Sequence, residues 1–186
     1  MITTALRILL VDGSKADVDQ IKKHIHRIVV KPKIKSVDNI DDCQRELERF
    51  IPDVVISEYN LPTCTGIDVL ELTRRVDESI PFIFLTGALE DEEMALDTIL
   101  GKAFGFILKK NMPVIHEHLR PLLKKVVFNM VEQDEIREKI RKNKIAVNQI
   151  YHYLDAIRAD DSEQRVNINK IRESIDEIKN RDEIAE

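Results

Sequence analysis

Residues 52–62 read PDVVISEYNLP, and the order of those residues decides the fold class. The apolar run Val54-Val55-Ile56 passes through Ser57 to a carboxylate, Glu58, and the turn formers Asn60-Leu61-Pro62 follow at once. A short apolar run closed by turn signals reads as a strand buried on both faces, as in a parallel sheet. Open parallel sheets carry their chemistry at the carboxyl ends of such strands. Glu58 therefore stands where a reactive acid is expected.

The same pattern recurs on either side. Further apolar runs occur at Ile8-Leu9-Leu10-Val11, Ile34 to Val37, Phe82-Ile83-Phe84-Leu85 and Phe106-Ile107-Leu108. Between them the apolar spacing changes to three and four, as one buried helix stripe requires. Val18, Ile21, Ile25 and Ile28 form the first stripe, and Cys43, Leu47 and Phe50 the second. Ile67, Leu70 and Leu72 mark a third helix. Met94, Ile99 and Leu100 mark a fourth, with the acids Glu90 to Glu93 in a first turn where the helix dipole favours them. Leu119, Leu122, Leu123 and Val126 mark a fifth. Alternating strands and helices up to about residue 127 predict an α/β fold, a five-stranded parallel doubly wound sheet.

Beyond residue 127 the strand pattern ends. Pro121 is the last proline and Gly105 the last glycine, so the remaining chain lacks both strong breakers. Ile136, Ile140, Val147, Ile150, Leu154 and Ile157 keep a heptad-like spacing, continued by Ile168, Ile171, Ile175 and Ile178. Sustained spacing of this kind predicts a coiled coil or helical bundle that dimerises the chain, with Asn143 as a polar seam position that can fix register. The seam fails at Asp161 and Gln164, where Asp160 with Glu163 and Asp161 with Gln164 are overlapping cap signatures. Helices over about 128–159 and 162–183 joined as a hairpin fit this, and so does one long helix with a polar layer. The division expected is 1–127 and 128–186.

A formal net charge of −5 argues against non-specific nucleic-acid binding, which needs excess Lys and Arg. No apolar run approaches the ~20 residues of a membrane span, and MITTALRILLV has neither the charge pattern nor the cleavage site of a signal peptide. Cys43 and Cys64 offer neither a disulfide framework nor metal-ligand spacing, so a reducing cytoplasm is the expected location.

Four strand ends, VDGS, PDVVISEYNLP, FLTG and FILKK, fall in an order that resembles the receiver domains of bacterial response regulators over roughly residues 5–125. The resemblance assigns the positions as follows. Glu58 stands at the phosphoacceptor, where the family has aspartate. Asp12 matches the first of two adjacent acids that help hold Mg²⁺, and Gly13 replaces the second. Thr86 matches the hydroxyl residue that contacts the phosphoryl group, and Gly87 the small residue beside it. Phe106 matches the switch aromatic and Lys109 the lysine. Lys110 follows where most receivers have proline, often after a cis bond. A cis bond before a non-proline residue costs about 2.5–4 kcal/mol, so a different loop is expected here.

The departures carry the functional reading. With Gly13 in place of an acid, Asp12 and Glu58 remain as the side-chain ligands, so Mg²⁺ binding is expected to be weak or absent, and no other cofactor is implied. Glu58 moves its carboxylate outward, and a shift of about 1 Å in a reacting group can cost around 10²-fold in rate. The expectation is a pseudo-receiver of two-component signal transduction, without enzymatic activity. It would act by dimerisation and by contact with a protein partner such as a histidine kinase or an output protein, with no nucleic acid or membrane. Glu58 either imitates the phosphorylated state or only pairs with Lys109.

Two alternatives remain open from sequence: a conventional phosphorylation-regulated receiver, and a histidine phosphotransfer protein or hybrid-kinase fragment using His152, which falls off the heptad seam. His24/His26 and His116/His118, each spaced i,i+2, diverge around their helices and read as surface residues rather than metal ligands. Cys64 reads as turn filler, and the basic run from Arg137 to Lys144 as a solvated helix face.

Overall fold

Along the first strand, β1 (Leu6–Val11), Ile8 and Leu10 join one buried cluster and Leu9 and Val11 the other. This period-two alternation requires cover on both sheet faces. The structure is a computed structural model and describes residues 1–87, 103–131, 141–150, 154, 169 and 171. Its sheet adds β2 (Pro32–Val37), β3 (Val54–Ser57), β4 (Phe82–Thr86) and β5 (Gly105–Leu108). The order is β2-β1-β3-β4-β5 and every neighbouring pair is parallel. This is the doubly wound sheet expected from the alternation. Its strand order reverses between β1 and β3, which opens a crevice at their carboxyl ends.

Helices α1 (Lys15–His26) and α4 (Ile115–Val131) cover the face bearing Ile8, Leu10, Val54 and Ile56. Helices α2 (Ile40–Arg49) and α3 (Gly66–Val76) cover the other, against Leu9, Val11, Val55 and Phe84. Of the expected stripes, Val18, Ile21, Ile25 and Ile28, then Cys43, Leu47 and Phe50, then Leu70 and Leu72, then Leu119, Leu123 and Val126 are buried, while Ile67 and Leu122 are half-buried against the core. The turns that follow β1, β2 and β3 are each fixed by a side-chain cap, which satisfies amide donors left free at a helix start. Ser14 accepts from the Asp17 N–H, Asn39 from that of Asp42, and Thr65 and Asp68 form a reciprocal capping box. After β5 the chain makes a 3₁₀ turn, Lys109–Val114, and among the described residues no peptide bond is cis. The loop beside Lys109 thus has the trans form expected from Lys110.

The expected helix around Met94 to Leu100 lies outside the described residues. So do most of the C-terminal seam, the junction at 159–162 and His152. The chain divides into two compact units, Met1–Ile136 and Arg137–Glu186. In the second, residues 141–150 are helical, Leu154 is buried, and Asn143, Ile150 and Ile171 are exposed. No helix among the described residues is long and apolar enough to cross a membrane.

One reading from the periodicity needs correction. His26 and His118 are exposed, but His24 is buried, and its Nδ1 lies 3.1 Å from Nδ1 of His116. The ring centroids are 5.2 Å apart, so the two nitrogens face each other and one imidazole donates to the other across α1 and α4. Burial, then His116 and Arg27, push the His24 pKa below the ordinary 6.5. The folded protein thus favours neutral His24, while the unfolded chain takes up a proton near 6.5. Stability is therefore expected to fall as pH drops from 7 through the ordinary histidine value. Urea titrations of the wild type and His24→Gln across that interval test it, and the variant's stability should vary less with pH.

Candidate functional site

Asp12 leaves β1 and Glu58 leaves β3, so the switch point places two carboxylates side by side. Both are buried, as is Thr86 at the end of β4. Lys109 follows β5, and its Nζ reaches across the sheet ends to both acids, 2.6 Å from Asp12 Oδ2 and 2.6 Å from Glu58 Oε2. A third carboxylate closes the group: Asp17 Oδ2 lies 2.7 Å from the same nitrogen. An ammonium has three N–H donors and no acceptor, so the three carboxylates can satisfy it completely. Only 9% of the Lys109 side chain is exposed, which keeps these contacts from being screened as a surface pair would be.

The electrostatics follow from that burial. Desolvation pushes the Asp12 carboxyl above its ordinary value, although the Lys109 and Ser14 hydrogen bonds pull it down. For Lys109, burial alone would favour the neutral amine. The hydrogen bonds to Asp12, Asp17 and Glu58 together outweigh it, and the ammonium is held above the usual lysine value.

The second Glu58 oxygen is turned back onto its own loop. Oε1 accepts from the N–H of Tyr59 at 2.7 Å and from that of Asn60 at 3.3 Å. The loop itself is tightly tied, with the Gly66 N–H donating to the Tyr59 carbonyl and Asn60 bridging to Thr65. Gly66 is required here because a Cβ would fall 2.7 Å from the Glu58 carbonyl and 2.9 Å from Tyr59 Cα. Gly13 is constrained from the same loop. A Cβ on it would fall 2.8 Å from both Cδ and Cγ of Pro62, so the proline ring fills the space beside the first strand end. Beside Gly87, in contrast, nothing among the described residues lies within 4 Å of where a Cβ would stand. Phe106 is half-buried against the cluster holding Phe84, the residue with which it registers across β4 and β5.

Of the residues singled out in the sequence, Asp12, Gly13, Glu58, Thr86, Gly87 and Lys109 lie at or beside the carboxyl ends of their strands, whereas Phe106 lies within β5, opposite Phe84. Sequence reasoning missed Asp17, Pro62 and the Tyr59–Asn60 amides. The signal for Asp17 was its spacing: three residues after the cap Ser14, it is in the first turn of α1, beside the strand end it follows. Burial, with Asp68 nearby, raises the Cys64 pKa, and burial pushes that of Cys43 up to about 12, so neither thiol is activated.

Comparison with known proteins agrees with the strand-end pattern. A family model described as the response regulator receiver domain matches residues 8–120. The chain belongs to that family, and this part is a receiver domain of two-component response regulators. The sensory transduction protein LytT of Bacillus cereus is 25% identical over 166 residues, 89% of this chain and 64% of that protein. Its Bacillus anthracis counterpart is 25% identical over 136 residues, 73% of this chain and 53% of that protein. The chain therefore spans between about half and two-thirds of these relatives' length. Among solved structures, a signal receiver domain from Vibrio parahaemolyticus superposes with a TM-score of 0.60 at 23% identity, covering 70% of this chain and 98% of that one. The response regulator domain of Thermotoga maritima CheB gives 0.55 at 19%, covering 66% and 94%. These two likenesses show the fold.

The fit of Gly13 to Pro62 has a measurable consequence. Gly13→Ala forces the ring aside and is expected to cost about 1–3 kcal/mol, the usual range for overpacking. Pro62→Ala removes the obstacle, so the double variant should recover most of the loss. Denaturant melts of the four proteins give the coupling, expected at ~1 kcal/mol or more for residues in direct contact.

Proposed function

We propose that this chain is a pseudo-receiver that signals through protein contacts, with a strand-end pocket that takes no phosphoryl group. The observation that carries the reading is the state of Glu58. One oxygen is held by Lys109 and the other by the Tyr59 and Asn60 amides. A carboxylate engaged in this way is a poor nucleophile, since attack on a phosphodonor requires it to leave charge-assisted bonds about twice as strong as neutral ones. The same geometry favours a structural role for Glu58 over imitation of phosphate, because both oxygens serve the protein's own loop and lysine. Function then resides in the surface this fixed pocket supports. The partner is a protein of a signalling pathway, a histidine kinase or an output protein, and the chain is not itself an enzyme.

Dimerisation through the C-terminal segment belongs to the same proposal. Ile150 and Ile171, both on the heptad seam, are 48% and 45% exposed, and a second copy would cover them. Light scattering on the full chain should give twice the monomer mass, and Ile150→Glu should shift it toward monomer.

The direct test of the pocket uses acetyl phosphate with Mg²⁺ and intact-mass detection. No phosphoryl adduct is expected on the wild type. An adduct lost in Glu58→Gln would instead establish a conventional phosphorylation-regulated receiver. In partner capture, Glu58→Gln should retain binding if the carboxylate is structural and lose it if the charge is the signal.

A further inference from the structure

The fold family implies a divalent cation at the ends of β1 and β3, and the residues present can be tested for their fit to it. Mg²⁺ demands near-octahedral oxygen ligands at about 2.0–2.1 Å. The acid oxygens it would need, Asp12 Oδ2 and Glu58 Oε2, are both 2.6 Å from Lys109 Nζ. An ammonium and a dication compete for these oxygens at such range, because each must approach the same atoms and their mutual repulsion in a buried site is large. Nor is there room for another acid at position 13, where a Cβ already meets the Pro62 ring at 2.8 Å. Among the described residues, no cluster of His, Cys, Asp or Glu is arranged to hold a metal as the chain stands. The residues do not fit Mg²⁺.

We infer that the Lys109 ammonium is the resident cation of this pocket, with Asp17 as a third carboxylate ligand alongside Asp12 and Glu58. The three acids come from separate elements: Asp12 from the end of β1, Asp17 from the first turn of α1 and Glu58 from the end of β3. They converge on one nitrogen at 2.6, 2.7 and 2.6 Å, so each oxygen aims at a single point. Three carboxylates around one ammonium leave an excess of negative charge, and it is the lysine that keeps a dication from answering it. The inference has an inverse consequence. Replacing the ammonium while keeping an apolar stem, as Lys109→Met does, exposes three converging oxygens to solvent ions. Their separation from the common point is close to the 2.3–2.6 Å of Ca²⁺–oxygen bonds and longer than Mg²⁺ prefers. The variant therefore acquires a site for a hard, oxygen-seeking dication of larger radius, Ca²⁺ or Mn²⁺.

This inference deepens the pseudo-receiver reading, but the two are measured separately, by metal uptake and by phosphoryl uptake. The experiment titrates Mn²⁺ into the full chain by water-proton relaxation and follows Tm in millimolar Mg²⁺, Ca²⁺ and Mn²⁺. Wild type should show no saturable Mn²⁺ binding and no shift in Tm with any of the three. Lys109→Met should bind one Mn²⁺ at least about tenfold more tightly than any residual wild-type binding, since affinity follows ligand charge. Its Tm should fall without metal and rise with Ca²⁺ or Mn²⁺, and adding Asp17→Asn should weaken its binding by about tenfold. If Lys109→Met folds only when Ca²⁺ or Mn²⁺ is present, the inference gains the same support. A folded Lys109→Met that takes up no metal overturns it, as does saturable Mn²⁺ binding by the wild type. Because the wild-type titration needs no variant, the inference stays open to refutation even where Lys109→Met fails to fold. Metal uptake by the wild type without a phosphoryl adduct would refute this inference and spare the proposed function. An adduct without metal uptake would do the reverse.

Discussion

Lys109 is the point on which the strand-end architecture depends. Its nitrogen ties the end of β1 through Asp12, the start of α1 through Asp17 and the end of β3 through Glu58, while its own backbone leaves β5. Four elements are thus joined by one buried cation. Removing one member of a buried ion pair typically costs about 3–5 kcal/mol, because the charge left behind has lost both its partner and its water. Here the loss would fall on two buried carboxylates, Asp12 and Glu58, together. The crevice opened by the strand order β2-β1-β3-β4-β5 would otherwise be lined by acids that repel one another. The lysine allows Asp12 and Glu58 to coexist while buried.

A second constraint works from the loop between β3 and α3. Glu58 binds the amides of the next two residues, Gly66 admits the loop backbone at a distance no side chain would allow, and the Pro62 ring lies where a residue larger than Gly13 would project. Thr65 and Asp68 then start α3 with a reciprocal cap. Each of these contacts limits the same few residues, so the loop has little freedom to follow a change in the pocket. Rigid loops of this sort suit a binding surface better than a switch, since a switch requires a second arrangement of comparable energy.

Much of this was legible in the sequence, for a physical reason. Burial on one or two faces imposes periods of two and 3.6 on apolar residues, and those periods are written along the chain. The five strands and the stripes of α1, α2 and α4 could therefore be read directly. Glu58 was legible because strand ends in a parallel sheet carry the chemistry, and Asp12 and Lys109 were legible through the resemblance of their strand ends to the receiver pattern. Contacts that depend on how helices sit on the sheet were not. Asp17 and Lys109 are separated by 92 residues, as are His24 and His116, and neither pair shares a period or a motif. His24 was misread because its neighbour at i+2 carried no information about the helix packed against it. The Pro62–Gly13 fit was hidden for a related reason: a glycine in sequence shows that a side chain is missing but not what fills its place.

Two of the departures from the family pattern, Gly13 and Glu58, can be understood as one change. With the extra methylene, Glu58 gives one oxygen to the Tyr59 and Asn60 amides and reaches Lys109 with the other. Once Lys109 is committed there, a second acid at position 13 would add negative charge to a site that already holds more carboxylates than ammonium groups. Glycine removes that charge and makes room for Pro62, whose ring helps hold the loop in the position that lets Glu58 fold back. Each substitution thus stabilises the arrangement the other requires. Reversing only one would leave either an unbalanced acid or an unsupported loop, so the pocket is better described as rebuilt around an internal cation than as a receiver site with parts missing.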